Sequence, residues 1–509
     1  MQVSIRTFRP NAFRTAISTP PISLLRHNLP STAQHRPGRF FTMASEPSAT
    51  EPPKYRTQIL PVNPAKVKDL IKPTDKEKSS LLEDWDINWP NSFSQDFVNL
   101  CVCADALKTS SVPVAFPTET VYGLGSDARR SAAVRGIYAA KARPADNPLI
   151  VHVATLRQLH RLLEPSWPAA TPPSAAALWR AIPPIYVPLI RAFWPGPLTV
   201  ILPLPPGSPL APEVTAGLRT FGARIPRNAL ARALLRLADV PVAAPSANAS
   251  GRPSPTAAEH VLEDLAGRVE VVLDGGPCDV GLESTVVDGL CDPPVVLRPG
   301  GVSIEALRKC PGWEDVRVAY KDSALGATDV PRAPGMKYRH YSPRAKVVLH
   351  EMARERPTWA EIEISGVERI GVIRTRTWPR ALGIVGMESE GEVNGVAGKE
   401  SQETEEYRLS TSTEKETNGD VPFNLESLVD IRVPSAKHFG FEQGKRRVEL
   451  WDIDIGPNIE SIARGLFSSL RELDRKNVEI IFVEGIKDEG DVAAAVMNRL
   501  RKAAEVTVG

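Results

Sequence analysis

The chain has 509 residues, of which 42% are hydrophobic, so it is long enough to form about two to four domains with buried cores. Its 62 lysines and arginines nearly balance its 60 aspartates and glutamates, and the net charge of +2 excludes a strong overall attraction for nucleic acid. No uninterrupted apolar run is long enough to cross a bilayer, so the sequence predicts no membrane span.

The N-terminal segment, residues 1–42, contains six arginines and no aspartate or glutamate. That composition is typical of a mitochondrial targeting segment, and the alternative is a disordered basic tail. Met43 offers a second start, directly followed by acidic residues. We therefore expect two products, one mitochondrial when translation begins at Met1 and one cytoplasmic when it begins at Met43.

Residues 43–92 are polar and charged, which predicts a poorly ordered leader before a first domain over residues 93–312. Apolar runs separated by helix-like segments indicate an α/β domain around a mixed, twisted sheet with flanking helices. A proline-rich stretch, 164–186, is interpreted as an inserted loop. The predicted strands are 112–116, 149–153, 198–202, 222–225, 240–244, 269–273, 284–288 and 295–298.

A connector over residues 313–345 leads to a second, smaller domain over residues 346–509. There the strand pattern at 370–373 and 478–483 alternates with helix patterns at 458–476 and 491–504. This βαβα order predicts a Rossmann-like unit. The segment 387–420 is rich in glutamate, serine and threonine and is predicted to be a disordered acidic insertion.

Three loops of the first domain carry groups suited to a polyanion. Residues 245–256 are dense in hydroxyls, amides and free backbone N–H groups and follow an apolar strand. Residues 117–125 follow another strand, and Lys141 and Arg143 lie two residues apart before a proline-bounded loop. Taken singly, each has an alternative, a surface turn for the first loop and a solvated helix end for Lys141 and Arg143. The cysteines, including Cys101 and Cys103, lack zinc-site spacing, so we expect free thiols and no metal held by protein side chains.

Seven blocks, followed by a linker sequence, resemble one family. The blocks are FPTETVYGLG (116–125), KARPADNPLIVHV (141–153), FWPGPLTVIL (193–202), TFGARIP (220–226), APSANASGRPSPT (244–256), GLESTVVD (281–288) and LRPGG (297–301). In this order they closely resemble the threonylcarbamoyl-AMP synthase family, whose catalytic domain is of the YrdC type. The stretch APGMKYRHYSP (333–343) resembles the linker of that family's two-domain members.

The resemblance implies a YrdC-type catalytic domain joined by an ordered linker to the Rossmann-like domain. It implies the synthesis of threonylcarbamoyl-AMP and pyrophosphate from L-threonine, bicarbonate and ATP, with Mg²⁺ held mainly by the ATP phosphates. A separate tRNA threonylcarbamoyl transferase would then use the product to modify the adenosine next to the anticodon. A weak contact with RNA is part of the same expectation.

The resemblance also implies roles for individual residues. Lys141, Arg143 and Arg224 are expected to act in catalysis by offsetting negative charge. The residues expected to bind L-threonine are Thr120, His152, Arg224, Ser246 and Ser284. The residues expected to bind ATP are Lys141, Arg143, Asn147, Thr220, Asn248, Ser254, Arg298 and Tyr338 of the linker. The linker is expected to close over the nucleotide as a lid.

Three other readings remain open at this point. Residues 123–128, GLGSDA, fit the G-x-G-x-x-A pattern of a dinucleotide-binding enzyme, although a convincing acidic partner for the ribose is missing. A YrdC-type domain could also be an RNA-binding module without turnover, which the near-zero net charge disfavours. The same carbamoyl-adenylate chemistry could act on a different acceptor.

Overall fold

The computed structural model describes residues 54–508, apart from 69, 74–81, 89–93, 321–330, 332–339, 352–354, 385–386, 389–433 and 444–445. The predictions for residues 1–42, for Tyr338 and for all but the first two residues of segment 387–420 therefore lie outside the described residues.

The first domain is built on a mixed sheet of 11 strands in the order β1-β10-β4-β5-β9-β6-β8-β7-β11-β12-β13, and β2 and β3 form a separate pair. The strands are β1 (Gln58–Pro61), β2 (Ile71–Pro73), β3 (Trp85–Ile87), β4 (Val114–Phe116), β5 (Gly123–Asp127), β6 (Ile150–His152), β7 (Leu198–Pro203), β8 (Thr220–Arg224), β9 (Val242–Ala243), β10 (Val271–Asp274), β11 (Thr285–Asp288), β12 (Val295–Arg298) and β13 (Arg317–Val318). Each of the eight predicted strands is present, within two residues at either end.

Helices flank this sheet, and the predicted α/β architecture is confirmed. The helices are α1 (Pro64–Lys68), α2 (Gln95–Thr109), α3 (Ser131–Lys141), α4 (Leu156–Leu163), α5 (Ala175–Arg180), α6 (Val187–Phe193), α7 (Pro212–Thr215), α8 (Ala229–Ala238), α9 (Ala258–Leu265) and α10 (Ile304–Arg308). Several begin where a short polar side chain accepts a hydrogen bond from the backbone three residues later, as Thr155 does for α4 and Asn228 for α8. These caps fix where the helices start and therefore where the intervening strands end.

The GLGSDA sequence is a strand and not a phosphate-binding turn. Gly123–Asp127 forms β5, which pairs antiparallel with β4 on one side and β9 on the other. A Cβ atom on Gly125 would lie 2.7 Å from the Phe116 ring and 2.8 Å from Val242 Cγ1. The glycine is therefore needed for close packing of neighbouring strands, and the dinucleotide-binding reading is wrong.

The predicted leader belongs in part to the first domain, so the assignment of residues 43–92 to disorder is wrong where the structure describes them. Strand β1 extends the sheet by parallel pairing with β10, from Gln58 opposite Val271 to Pro61 opposite Asp274. Trp85 is fully buried and donates from Nε1 to the carbonyl oxygen of Ala154 at 3.1 Å. A few well-spaced apolar residues are enough to attach a polar segment to an existing core, which average composition does not reveal.

The proline-rich stretch 164–186 is also more ordered than an inserted loop. It contains α5 and a short 3-10 helix, Pro184–Tyr186. Tyr186 is fully buried and its hydroxyl donates to the carbonyl oxygen of Ile201 at 2.5 Å. The segment therefore packs on β7, because its apolar side chains offset the helix-breaking effect of its prolines.

The second domain has a sheet of seven strands in the order β16-β17-β18-β15-β19-β14-β20. The strands are β14 (Lys346–His350), β15 (Arg369–Arg374), β16 (Met387–Glu388), β17 (Lys437–Gln443), β18 (Arg446–Asp454), β19 (Ile480–Glu484) and β20 (Val506–Val508). The helices are α11 (Trp359–Ser365), α12 (Ile459–Arg475) and α13 (Asp491–Ala503). The five strands from β18 to β20 in this order are parallel, which confirms the predicted Rossmann-like unit.

The carboxylate of Glu484 ends β19 inside a ring of donors. The backbone N–H groups of Thr375, Arg376 and Trp378 donate to it at 2.7, 3.0 and 3.1 Å, and the Thr377 hydroxyl donates at 2.6 Å. Burial disfavours this charge, but the bonds from Thr377 and the adjoining backbone hold the pKa of Glu484 below its ordinary value. The turn after β15 is thus fixed to the end of β19.

Helices α12 and α13 connect the second domain to the first through buried arginines. Arg471, fully buried, donates to the carbonyl oxygen of Pro253 at 2.5 Å and to the Asp264 carboxylate at 2.7 Å. In the opposite direction, Arg252 donates to Asp474 at 2.7 Å. Both contacts hold the segment around residues 252–253, which belongs to the hydroxyl-rich loop singled out in the sequence.

Candidate functional site

A cavity that is partly open to solvent lies in the first domain where β5, β6, β8, β9 and β12 meet their loops. Ten of the predicted site residues line it: Thr120, Lys141, Arg143, His152, Arg224, Ser246, Asn248, Ser254, Ser284 and Arg298. His340 and Tyr341 of the linker also line it, together with Glu283. The topology therefore brings together blocks that are spread over about 180 residues of the sequence.

Lys141 holds the hydroxyl-rich loop, residues 245–256, in place by hydrogen bonds to its backbone. It ends α3, and its Nζ donates to the carbonyl oxygens of Ser246 at 2.5 Å and Asn248 at 2.7 Å. Burial, with Arg143 nearby, lowers the pKa of Lys141 well below its ordinary value. The sequence predicted that this ammonium faces the phosphates of ATP, whereas the structure directs its hydrogen bonds to the loop that carries Ser246 and Asn248.

Arg224 lies at the end of β8, where a buried carboxylate neutralises it. Its guanidinium donates to Glu119 at 2.6 Å, to the Thr120 hydroxyl at 3.0 Å and to the carbonyl oxygen of Gly196 at 3.1 Å. Burial would raise the pKa of Glu119, but the charge and hydrogen bond of Arg224 bring it below its ordinary value. The guanidinium is thus held rigidly and keeps donor capacity toward the cavity, since only three of its N–H groups have these partners.

His152 is a neutral member of the same wall. It ends β6 and is 4% exposed, and its Nδ1 lies 3.2 Å from the carbonyl oxygen of Ile150. Burial and the positive charge of Arg224 lower the pKa of His152 to about 3. The imidazole therefore offers hydrogen bonds without charge at neutral pH.

Arg298 and Ser284 form a second polar group on the wall. Arg298 ends β12 and donates to the carbonyl oxygen of Ser284 at 2.9 Å and to its hydroxyl at 3.1 Å. The same hydroxyl lies 2.8 Å from the hydroxyl of Thr199. These bonds connect β12, β11 and β7 at the point where the three strands border the cavity.

Two predicted residues that the structure describes, Asn147 and Thr220, do not line the cavity. Asn147 is fully buried, and neither polar atom of its side-chain amide has a hydrogen-bond partner in the described part of the chain. Thr220 begins β8, where it pairs with Pro203. Tyr338 lies outside the described residues, although its neighbours His340 and Tyr341 are at the cavity.

Sequence reasoning did not assign roles to Glu119, Glu283 or Tyr341. Both glutamates lie inside the quoted blocks, and an acidic residue within an otherwise apolar or hydroxyl-rich block near arginines is a signal that could have identified them. Glu283 accepts from the Ser254 hydroxyl at 2.5 Å and pairs with Arg499 of α13 at 3.1 Å. Tyr341 stacks on Phe467 with ring centroids 5.2 Å apart, which joins the linker to α12.

The lining has a strong excess of positive charge. Lys141, Arg143, Arg224 and Arg298 contribute cations, and among the described residues Glu283 is the carboxylate that faces the cavity. Such an arrangement suits a polyanion with hydroxyl and amide groups around it. Among the described residues, His152 bonds to the carbonyl oxygen of Ile150 and not to a serine, cysteine or threonine of the lining, as the base of an activated nucleophile would.

Comparison with known proteins agrees with this geometry. A family model described as Telomere recombination, of the Sua5, YciO and YrdC group, matches residues 107–300, and one described as Threonylcarbamoyl-AMP synthase, C-terminal domain, matches residues 302–505. A threonylcarbamoyl-AMP synthase of Schizosaccharomyces pombe is 43% identical over 410 residues, which cover 79% of this chain and 87% of the relative. This chain belongs to the threonylcarbamoyl-AMP synthase family.

Other members of the threonylcarbamoyl-AMP synthase family match over similar lengths. The enzyme of that name from Bacillus subtilis is 37% identical over 421 residues, covering 82% of this chain and 97% of its own. The crystal structure of Pyrococcus abyssi Sua5 complexed with L-threonine superposes with a TM-score of 0.56 at 33% identity, covering 81% of this chain and 96% of that one. The resemblance of the seven blocks and the linker is thereby confirmed.

The described part of this synthase-family chain has neither a membrane-spanning helix nor a cluster of metal-ligating side chains. None of the helices in the described part combines the length and apolar character that a membrane span requires. Nor do the described residues bring three or more His, Cys, Asp or Glu side chains together as metal ligands.

Proposed function

We propose that this chain synthesises threonylcarbamoyl-AMP from L-threonine, bicarbonate and ATP, with pyrophosphate and water as the other products. The observation that carries the proposal is that Arg224, neutralised and held rigidly by Glu119, borders the same cavity as the cations Arg143 and Arg298. An amino acid and a nucleotide can meet there without a covalent enzyme intermediate.

The threonine half of the cavity would consist of Thr120, His152, Arg224, Ser246 and Ser284. Arg224 retains N–H groups that can pair with the carboxylate of an amino acid, and its contacts with Glu119 and Thr120 fix the guanidinium plane. The neutral His152 can accept a hydrogen bond from the amine without adding a repelling charge.

The nucleotide half would consist of Arg143, Asn248, Ser254 and Arg298, joined by Tyr338 of the linker. Asn147 and Thr220, which the sequence also predicted for ATP, are not included because neither lines the cavity. Arg143 and Arg298 can offset the charge of the triphosphate, together with a Mg²⁺ ion bound to phosphate oxygens. Glu283 is an unsuitable ligand for that ion because its carboxylate already accepts from Ser254 and Arg499. Lys141 would act by positioning the loop from Ser246 to Ser254 and by its charge.

The reaction needs positioning and charge neutralisation more than a nucleophilic side chain. The threonine nitrogen forms a bond to the bicarbonate carbon with loss of water, and a carbamate oxygen then attacks the α-phosphorus as pyrophosphate leaves. Carbamates and mixed anhydrides break down in water, so the cavity has to be shielded while both steps occur. We propose that the linker, including Tyr338 and Tyr341, closes over the nucleotide as a lid.

The test is to measure pyrophosphate release by the chain from Met43 to Gly509 with ATP, Mg²⁺ and bicarbonate, with and without L-threonine. We expect release that requires both threonine and bicarbonate, and a nucleotide product with the mass of threonylcarbamoyl-AMP. Pyrophosphate release that does not depend on L-threonine would instead indicate another acceptor. Salt-sensitive RNA binding without any turnover would contradict the proposal and favour an RNA-binding module.

We further propose that a separate tRNA threonylcarbamoyl transferase consumes the product of the reaction, because a reactive anhydride needs an acceptor protein close by.

We also propose two forms of the protein. The arginine-rich composition of residues 1–42 supports a mitochondrial form, and a start at Met43 supports a cytoplasmic one. Fusing residues 1–42 to a fluorescent reporter tests the targeting. We expect mitochondrial fluorescence, and a diffuse signal identical to that of the reporter alone would contradict it.

A further inference from the structure

An arginine of the second domain reaches the wall of the catalytic cavity. Arg499 lies on α13, is fully buried, and donates from Nε to Glu283 Oε2 at 3.1 Å across 216 residues of sequence. Its Nη1 donates to the carbonyl oxygen of Pro299 at 2.6 Å. One guanidinium therefore holds two separate segments of the first domain, those of the blocks GLESTVVD and LRPGG.

The first of these contacts continues to a residue of the nucleotide half. The other carboxylate oxygen of Glu283, Oε1, accepts from the Ser254 hydroxyl at 2.5 Å, and both residues line the cavity. Burial disfavours the charge on Glu283, while Arg499 and then Arg298 bring its pKa below the ordinary value. Arg499 is thus the main counter-charge of the carboxylate that accepts from the Ser254 hydroxyl, and Arg298 is the second.

The second contact continues to Arg298. Pro299 follows Arg298 directly, and the next residue, Gly300, packs so closely that a Cβ atom would lie 2.3 Å from the carbonyl oxygen of Glu283. The two segments therefore touch through their backbones and cannot shift independently. Because the guanidinium of Arg499 holds both Glu283 and Pro299, it also fixes the position of the neighbouring Arg298 at the border of the cavity.

We propose that Arg499 is a positioning residue for the nucleotide half of the cavity, acting on Ser254 through Glu283 and on Arg298 through Pro299. The inference rests on the proposed function and deepens it, because it makes ATP binding by the first domain depend on helix α13 of the second. The guanidinium also lies 5.8 Å from the ring centroid of Tyr341, so the linker shares this support.

The test compares Arg499→Met and Arg499→Lys with Arg501→Met. Arg501 is a matched control on the same helix, since it is half-exposed and pairs with Glu351 at 2.7 Å and Asp488 at 2.6 Å, away from the cavity. Calorimetry gives the ATP dissociation constant, and turnover gives KM for ATP and threonine separately. We expect Arg499→Met to weaken ATP binding about tenfold to a hundredfold with threonine KM changed far less. Arg499→Lys should be intermediate because lysine lacks the fork that reaches both partners.

A second variant keeps the proposal testable if Arg499→Met folds poorly. In Arg499→Met/Glu283→Gln both members of the ion pair are removed, so neither leaves the other as an unpaired buried charge. We expect this protein to melt near the wild-type temperature yet to bind ATP as weakly as a well-folded Arg499→Met. Wild-type melting together with wild-type ATP affinity would overturn the proposal. So would equal losses of ATP and threonine affinity in step with a lowered melting temperature, since that outcome describes a purely structural residue.

These results are distinguishable from a failure of the proposed function. Wild-type protein that binds ATP but forms no threonylcarbamoyl-AMP refutes the proposed reaction and leaves the comparison of ATP affinities valid. Wild-type protein that makes the product while Arg499→Met retains full ATP affinity refutes the positioning role alone.

Discussion

The Nζ atom of Lys141 donates a hydrogen bond of 2.7 Å to the carbonyl oxygen of Asn248, in the loop that follows β9. The side chain of Lys141, at the end of α3, thereby satisfies backbone carbonyl groups of a loop that has no regular secondary structure of its own. The loop carries hydroxyls and amides into the cavity, so its geometry depends on a side chain 107 residues away.

Replacing Lys141 by methionine should loosen this loop. The buried carbonyl group of Asn248 and the half-buried one of Ser246 lose their donor, and an unsatisfied buried group costs about 1 to 3 kcal/mol in the free energy of unfolding. We expect KM to rise for both ATP and threonine, and trypsin to cleave faster after Arg252. Lys108→Met is the control, since Lys108 also lies in the last turn of a helix but is exposed. Unchanged KM values and an unchanged cleavage rate in Lys141→Met would show that the loop does not need this anchor.

The pair formed by Arg224 and Glu119 should govern threonine binding. In Glu119→Gln the buried guanidinium loses its counter-charge, and breaking a buried pair from one side costs about 3 to 5 kcal/mol. We expect the threonine KM to rise about tenfold or more, with the ATP dissociation constant changed little. Glu213→Gln is a matched control, because Arg135 and Glu213 are also 2.6 Å apart but lie at the surface. Equal effects of the two substitutions would argue against a role of Glu119 at the site.

His152 should remain neutral throughout the pH range in which the protein works. Its pKa of about 3 lies below the ordinary 6.5 because of burial and the nearby Arg224. We expect the imidazole NMR signal of His152, assigned with His152→Asn, not to shift between about pH 8 and pH 5. The same residue in denaturant is the control and should titrate near 6.5. A titration step of the folded protein in that range would contradict the burial argument.

Acid should remove stability that Glu119 and Glu283 contribute. Both folded-state pKa values lie below the ordinary 4.5, so the contribution is fully present above that pH and is lost as the pH falls through the folded values. We expect the free energy of unfolding of the wild type to drop more steeply between about pH 5 and pH 3 than that of Glu283→Gln. Parallel curves for the two proteins would mean that Glu283 has the same pKa folded and unfolded.

Much of the fold follows from local sequence patterns. Apolar runs at 198–202 and 295–298 predict β7 and β12 closely, because strands buried on both faces are continuously hydrophobic. Strand β5 was not predicted, since its glycines have no side chains that could form a hydrophobic pattern. The reason for a glycine at 125 is its close packing against Phe116 and Val242, which only the structure shows. The attachment of Trp85 to the first domain is a tertiary effect of the same kind.

The site could be predicted as a set of residues but not as a network. Family resemblance predicted roles for Lys141 and Ser254, and both line the cavity, but the sequence did not indicate the hydrogen-bond partners of either. Glu283 becomes meaningful only when α13 brings Arg499 beside it, and no local pattern indicates a contact over 216 residues. The direction of a long side chain, such as that of Lys141, is likewise decided by which acceptors the topology brings within reach.

In open parallel sheets, small ligands usually enter at the carboxyl ends of the strands. In the second domain that edge is closed by Glu484, whose carboxylate accepts the successive N–H groups of residues 375–378. The chain thus supplies its own carboxylate to a run of N–H groups that would otherwise be able to bind an anion. Glu484 therefore fixes the end of the strand that leads into α13, the helix that brings Arg499 to Glu283 at the cavity of the first domain.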